Sequence, residues 1–203
     1  MNRTAQRPVW RRRSVLPASL VMTLVVAGCD LRYLAIPGDG PVRFRDPVFS
    51  GVTVTSDVVY GSSVNQQGAR LSLLMALYRP SGDTLARRPA IVWVHGGSFA
   101  FGTKTSPEIV DQARTFAQKG YVSAAISYRL TPGGCITVTA ACFRAIVDAK
   151  HDAQAAVRYL RANAATLGID VNRIAIAGTS AGAITALNVG FSPDDPGTSG
   201  NPG

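Results

Sequence analysis

Histidine is nearly absent: the chain has two, His95 and His151, in 203 residues. Cysteine is scarce as well, with three, and no third ligand-type residue accompanies the Cys135 and Cys142 pair, so neither a metal nor any other cofactor is implied. Acids are few, with 12 Asp and Glu against 21 Lys and Arg, for a formal charge of +9. Five of the positives (Arg3, Arg7, Arg11, Arg12 and Arg13) crowd the first thirteen residues, and without residues 1–28 the balance is 16 against 12. No basic run interleaves with aromatics, which excludes a nucleic-acid partner. The absence of internal repeats excludes a solenoid. No apolar run reaches the roughly twenty residues that a good spanning helix needs. What remains is 46% hydrophobic and 16% charged, a chain that folds, with length for one domain or two at most.

The basic start runs into Val15–Gly28, fourteen largely apolar residues that end in small ones. A charged region, a short apolar region and a small-residue end describe a secretory signal over residues 1–28. Val26-Ala27-Gly28-Cys29 resembles the lipobox of bacterial lipoproteins, in which the cysteine is lipidated and becomes the mature N-terminus. Cys29 is therefore expected to anchor an exported protein in a bacterial envelope membrane, the alternative being an ordinary signal that contains a cysteine. Export makes a Cys135–Cys142 disulfide the simplest fate of the other two thiols, seven apart, against two buried free thiols.

Residues 29–50 read as a tether, since Pro37-Gly38-Asp39-Gly40-Pro41 cannot hold regular structure. From residue 51 to 203 strands and helices alternate. Val52–Tyr60 suggests a strand with one wet face, Leu71–Tyr78 a second, and Ala90–Val94 a strand buried on both faces. Ser106 as N-cap and Pro107 at the first position start a helix that runs to about Lys119. Tyr121–Tyr128 is a further strand, about Arg144 to Ala165 a long Ala-rich helix stopped by Gly168, Ile174–Ala177 a buried strand, and Ala181 to about Val189 a small-residue helix. This order predicts an α/β fold: three layers around a mostly parallel sheet.

Gly178-Thr179-Ser180-Ala181-Gly182 has the form G-x-S-x-G and lies between a buried strand and a helix. A turn that sharp exposes the Ser180 hydroxyl and offers the following helix N-terminus to a developing negative charge. A phosphate-binding turn would want G-x-G-x-x-G or a following Lys, and neither is present. His95-Gly96-Gly97-Ser98-Phe99 ends another buried strand and matches the HGG oxyanion loop of lipases and esterases.

With these two motifs in order, the chain from about Asp57 onward resembles the α/β-hydrolases of the esterase, lipase and carboxylesterase group. Ser127-Tyr128-Arg129-Leu130 and the stretch Asp152–Asn163 add to the likeness. The resemblance implies Ser180 as nucleophile, the N–H groups of Gly97, Ser98 and Ala181 as oxyanion donors, and a small-molecule or lipid ester as substrate. In the family the histidine at position 95 shapes the oxyanion loop, and His151 reads as a helix histidine beside Asp152. The family's acid and histidine follow the nucleophile, but the 23 residues after Ser180 hold only Asp194 and Asp195 and no histidine. The expectation is a hydrolase domain incomplete at its C-terminal side and inactive as given. A non-catalytic lipoprotein using the fold as an interaction surface is the alternative.

Overall fold

Ala90–Val94 has no polar residue to offer to water, and it lies where both faces are covered. The computed structural model describes residues 40–199. The strands are β1 (Val52–Val64), β2 (Arg70–Pro80), β3 (Arg88–Val94), β4 (Val122–Ile126) and β5 (Ile169–Gly178). The helices are α1 (Pro107–Gln118), α2 (Ala140–Ala162), the single turn α3 (Ala164–Leu167) and α4 (Ala181–Phe191). The strands form one sheet in the order β1-β2-β4-β3-β5. β4, β3 and β5 are mutually parallel, while β2 is antiparallel to both β4 and β1. No helix among the described residues is long and apolar enough to cross a membrane.

Alternate strand residues feed two cores. Leu73, Met75, Leu77, Val92, Val94, Ala124 and Ile126 face α2, which meets them with Ala145, Ala149, Ala153, Ala156 and Leu160. Ala76, Tyr78, Ile91, Trp93 and Ala125 face Ile109, Ala113 and Ala117 of α1. The result is the three-layer arrangement expected from the pattern. Alanine along both helices lets their backbones approach the sheet closely.

Several local expectations are corrected. Ser106 precedes Pro107, but its hydroxyl accepts from the Thr103 N–H at 3.0 Å and caps nothing. The long helix starts before Arg144, at Ala140, because Thr139 caps it by accepting the Cys142 N–H at 3.2 Å. It ends at Ala162, and Gly168, at φ 67°, closes the short turn α3 that follows. The last strand is not buried: Ala175 is exposed and Ile174 and Ile176 are half-covered, because β5 pairs with β3 alone among the described residues. In the stretch read as a tether, residues 40–50 hold no helix or strand, yet they are docked. The Phe44 N–H donates to the Lys119 carbonyl at 2.8 Å, Val48 and Phe49 donate to Gln118, and Arg43 pairs with Asp83. The leader, Cys29 and residues 30–39 lie outside the described residues.

Candidate active site

β3 and β5 run side by side in parallel, with Val94 opposite Gly178. The loops that leave these two strands therefore emerge together. One is the turn of Ser180, whose backbone stands at φ 50°, ψ −116°. A non-glycine residue at positive φ is strained, and here its surroundings hold it there. Gly182 N–H donates to the Thr179 carbonyl at 2.8 Å, and Ala183 and Ile184 donate to that of Ser180. Both flanking glycines are sterically required: a Cβ on Gly178 would lie 2.6 Å from the Val94 carbonyl oxygen, and one on Gly182 only 2.0 Å from it. Ser180 itself is exposed and precedes α4 without a side-chain cap bond, so among the described residues its hydroxyl has no partner at the helix N-terminus.

The other loop is His95–Gly102. A Cβ on Gly96 would stand 3.1 Å from the Thr179 carbonyl oxygen and 3.3 Å from the Ser180 Cβ, so the loop lies directly against the serine turn. Gly97 (φ 106°), Ser98 (φ 52°) and Phe99 (φ 61°) follow in succession with positive φ. At Gly97 a side chain would meet the Phe101 carbonyl oxygen at 2.3 Å. The N–H groups of Gly97, Ser98 and Ala181 have no protein acceptor among the described residues. Three unbonded donors thus sit on the two loops that meet at Gly96 and Ser180.

His95 belongs to the frame of this site. It is fully buried, its Nδ1–H donates to the Gly96 carbonyl at 2.7 Å, and its ring stacks on Tyr128 at 4.3 Å. Burial pushes its pKa below the ordinary histidine value, which keeps it neutral. Gly102, at φ 96°, is a glycine because a Cβ would fall 2.3 Å from the His95 Nδ1. His151 is occupied elsewhere: its Nε2 meets the Asp195 carboxylate at 3.1 Å, and Gly197 closes over its ring. The Gly197 N–H holds the exposed Asp195 carboxyl below the usual range against the opposing effect of burial, and His151 adds to it. Asp194 pairs with Arg158 at 2.6 Å. The structure thus sets the start of the loop that carries Gly97 and Ser98 against the turn of Ser180 and Ala181, and engages His151, Asp194 and Asp195 in a separate polar strap across α2.

Two partners of the site carried no role in the sequence reading. Tyr128 supports His95 from below, its hydroxyl donating to the His95 carbonyl at 3.1 Å. Arg129 and Asp152 form a buried ion pair at 2.8 Å, with further bonds from the Arg129 N–H and the Ser199 hydroxyl to the same carboxylate. Burial raises the Asp152 carboxyl while Arg129 pulls against it. The signal was present in Ser127-Tyr128-Arg129-Leu130, an aromatic and a cation directly after a buried strand.

The sequence model of the BD-FAE family matches residues 75–201, more than half of the chain, over both loops. The chain belongs to the BD-FAE family. This BD-FAE chain is also 30% identical over 168 residues to para-nitrobenzyl esterase of Bacillus subtilis (strain 168), a match covering 74% of this chain and 34% of that protein. It is 29% identical over 153 residues to lipase 1 of Geotrichum candidum, covering 73% and 25% respectively. The structure of Thermogutta terrifontis esterase 2 phosphorylated by paraoxon superposes with a TM-score of 0.51 at 30% identity, over 69% of this chain and 47% of that one. The BD-FAE chain therefore has the α/β-hydrolase fold of an esterase family. It spans about a quarter to a third of the curated relatives and about half of the solved structure.

Proposed function

We propose that this chain carries the nucleophile and oxyanion hole of a serine esterase. Ser180 attacks the carbonyl carbon of an ester as its proton passes to a histidine, and the carbonyl oxygen takes up the negative charge between the N–H groups of Gly97, Ser98 and Ala181. Collapse expels the alcohol and leaves an acyl group on Ser180, which water then removes. The observation that carries this reading is the contact of Gly96 with Thr179 and Ser180, which joins a strained, exposed serine to a loop of free donors. Neither histidine of the chain is arranged as the base, since His95 is buried against Gly96 and Tyr128 and His151 serves Asp195.

The test is hydrolysis of an activated p-nitrophenyl ester by the 203-residue chain and by a chain continued through an acid and a histidine. The first should turn over little. The second should be active, and Ser180→Ala should lower its turnover by about 10⁶, the loss that follows removal of a serine-protease nucleophile. Turnover that survives Ser180→Ala would overturn the proposal. Paraoxon is a suitable second probe, because esterase 2 of Thermogutta terrifontis is phosphorylated by it.

We propose as well that the protein is exported and held in a bacterial envelope through lipid on Cys29. The lipobox-like Val26–Cys29 supports this, and so does the bonding of Cys135 to Cys142. Detergent partitioning that is lost in Cys29→Ser would support the anchor, and equal partitioning of the two forms would oppose it.

A further inference from the structure

We infer that the Cys135–Cys142 disulfide is a positioning device for the oxyanion loop. The inference rests on the esterase reading for the purpose of that loop, but not for the contacts themselves.

Ser98 and Phe99 occupy left-handed backbone conformations that non-glycine residues avoid, so the loop must be held from outside. On its outer side it meets the turn Thr131–Cys135. The Thr131 N–H donates to the Phe99 carbonyl at 2.9 Å and the Cys135 N–H to the Ser98 carbonyl at 2.7 Å. Gly134 presses so close that a Cβ there would lie 2.1 Å from the Ser98 carbonyl oxygen and 2.8 Å from the Ala100 nitrogen. The bond to the Ser98 carbonyl sets the ψ of the residue whose own N–H is an oxyanion donor.

The supporting turn is closed by two hydrogen bonds of its own, from the Gly134 N–H to the Thr131 carbonyl at 2.8 Å and from the Ile136 N–H to the Gly133 carbonyl at 3.0 Å, and has no packed side chains at its glycines. Gly133 and Gly134 are adjacent, both at positive φ, and Ile136 and Val138 just beyond them are exposed. Besides the short backbone of residues 136–139, the turn is tied by the disulfide to Cys142, which is buried in the first turn of α2, where Thr139 caps the helix. α2 in turn packs its alanines on the sheet core. The path runs from helix to disulfide to the Cys135 N–H to the Ser98 carbonyl. Cys135 and Cys142 act through Ser98 and touch no reacting atom, so they are positioning residues.

Amide hydrogen exchange on the 203-residue chain tests the contacts without any need for turnover. The oxidised protein is compared with its dithiothreitol-reduced form and with the Cys135→Ala/Cys142→Ala double variant. The expected result is at least about tenfold faster exchange at Cys135 and at Ala100 and Phe101, with β3 and β4 unchanged. Unchanged loop exchange would overturn the inference. So would faster exchange spread evenly over the sheet and α2, because the bridge would then be a general staple. In a chain with Ser180-dependent turnover, the double variant should lower kcat about tenfold with KM within about twofold. An unchanged kcat there also overturns the inference. Absence of turnover from every form would instead count against the esterase reading, while the exchange result still decides the role of the disulfide.

Discussion

Gly182, in the first turn of α4, lies against the carbonyl of Val94, the last residue of β3, with room for a hydrogen and nothing more: a Cβ would stand 2.0 Å from the oxygen. This contact fixes how near the serine turn comes to the oxyanion loop. Gly182→Ala should therefore push α4 off β3, destabilising the protein by about 1–3 kcal/mol as overpacking does, and should abolish Ser180-dependent turnover. Urea denaturation midpoints and ester hydrolysis measure the two effects.

The conformation of Ser180 itself makes a different prediction. At φ 50° the serine is strained by an amount that glycine would not feel. Ser180→Gly should raise stability by about 1 kcal/mol relative to Ser180→Ala, with both variants inactive. Equal stabilities of the two variants would show that the turn stores no strain at this position.

Arg129 and Asp152 are both buried, with side chains 2% and 0% exposed, and Arg129 meets a second carboxylate, Asp148, at 3.2 Å. Asp152→Ala removes the fully buried carboxylate, so the Arg129 and Ser199 groups that donate to it lose their acceptor, while the guanidinium keeps Asp148 and the Val64 carbonyl. A loss of about 1–3 kcal/mol is expected from the buried donors left without an acceptor, above the effect of removing a surface pair such as Arg173–Asp170. Thermal or urea unfolding of the two variants compares them directly.

Asp83 should contribute to acid sensitivity. Burial opposes its charge, but hydrogen bonds from Arg43, the Leu85 N–H and Arg88 win and hold its pKa down at about 2, against 3.8 for the free group. The unfolded chain therefore binds the proton more readily. The stability this carboxylate contributes is whole above about pH 4 and is lost as pH falls toward 2. Asp83→Asn should flatten that part of the pH–stability curve by on the order of 1 kcal/mol, after allowance for solvent screening at the partly exposed Arg43. A curve of unchanged slope would show that the two arginines do not favour the charged form.

The elements with strong local physics were legible in the sequence. Ala90–Val94 could only be a covered strand, and glycines on both sides of Ser180 pointed to a backbone too crowded for side chains. Other features depended on partners distant in the chain. The start of α2 was hidden because Ile136–Val138 reads as β-forming while the cap, Thr139, is one of several threonines in that stretch. β5 has the composition of a covered strand, and its exposure follows from what pairs with it, which no local pattern encodes. In the tether, Arg43, Phe44 and Phe49 did carry a signal, a cation among aromatics. The guanidinium lies about 5 Å from both phenylalanine rings, and Phe44 packs edge-on against Tyr121. The neutral, buried state of His95 was legible only through the likeness to a known loop.

The pairing of β3 with β5 has a consequence for how the chain tolerates changes in length. From Ala90 opposite Ile174 to Val94 opposite Gly178 the two strands keep step residue for residue, while between Arg88 and Ala90 the register breaks and β5 carries extra residues. Insertions and deletions are already absorbed at that far end, away from the serine. Between Ala90 and Val94, or between Ile174 and Gly178, one added residue would advance one loop by about 3.3 Å relative to the other and turn the strand's side chains onto the wrong faces. The half of the sheet nearer the site acts as a fixed gauge, and related or engineered chains that keep the chemistry should differ in length before it and after it, but not within it.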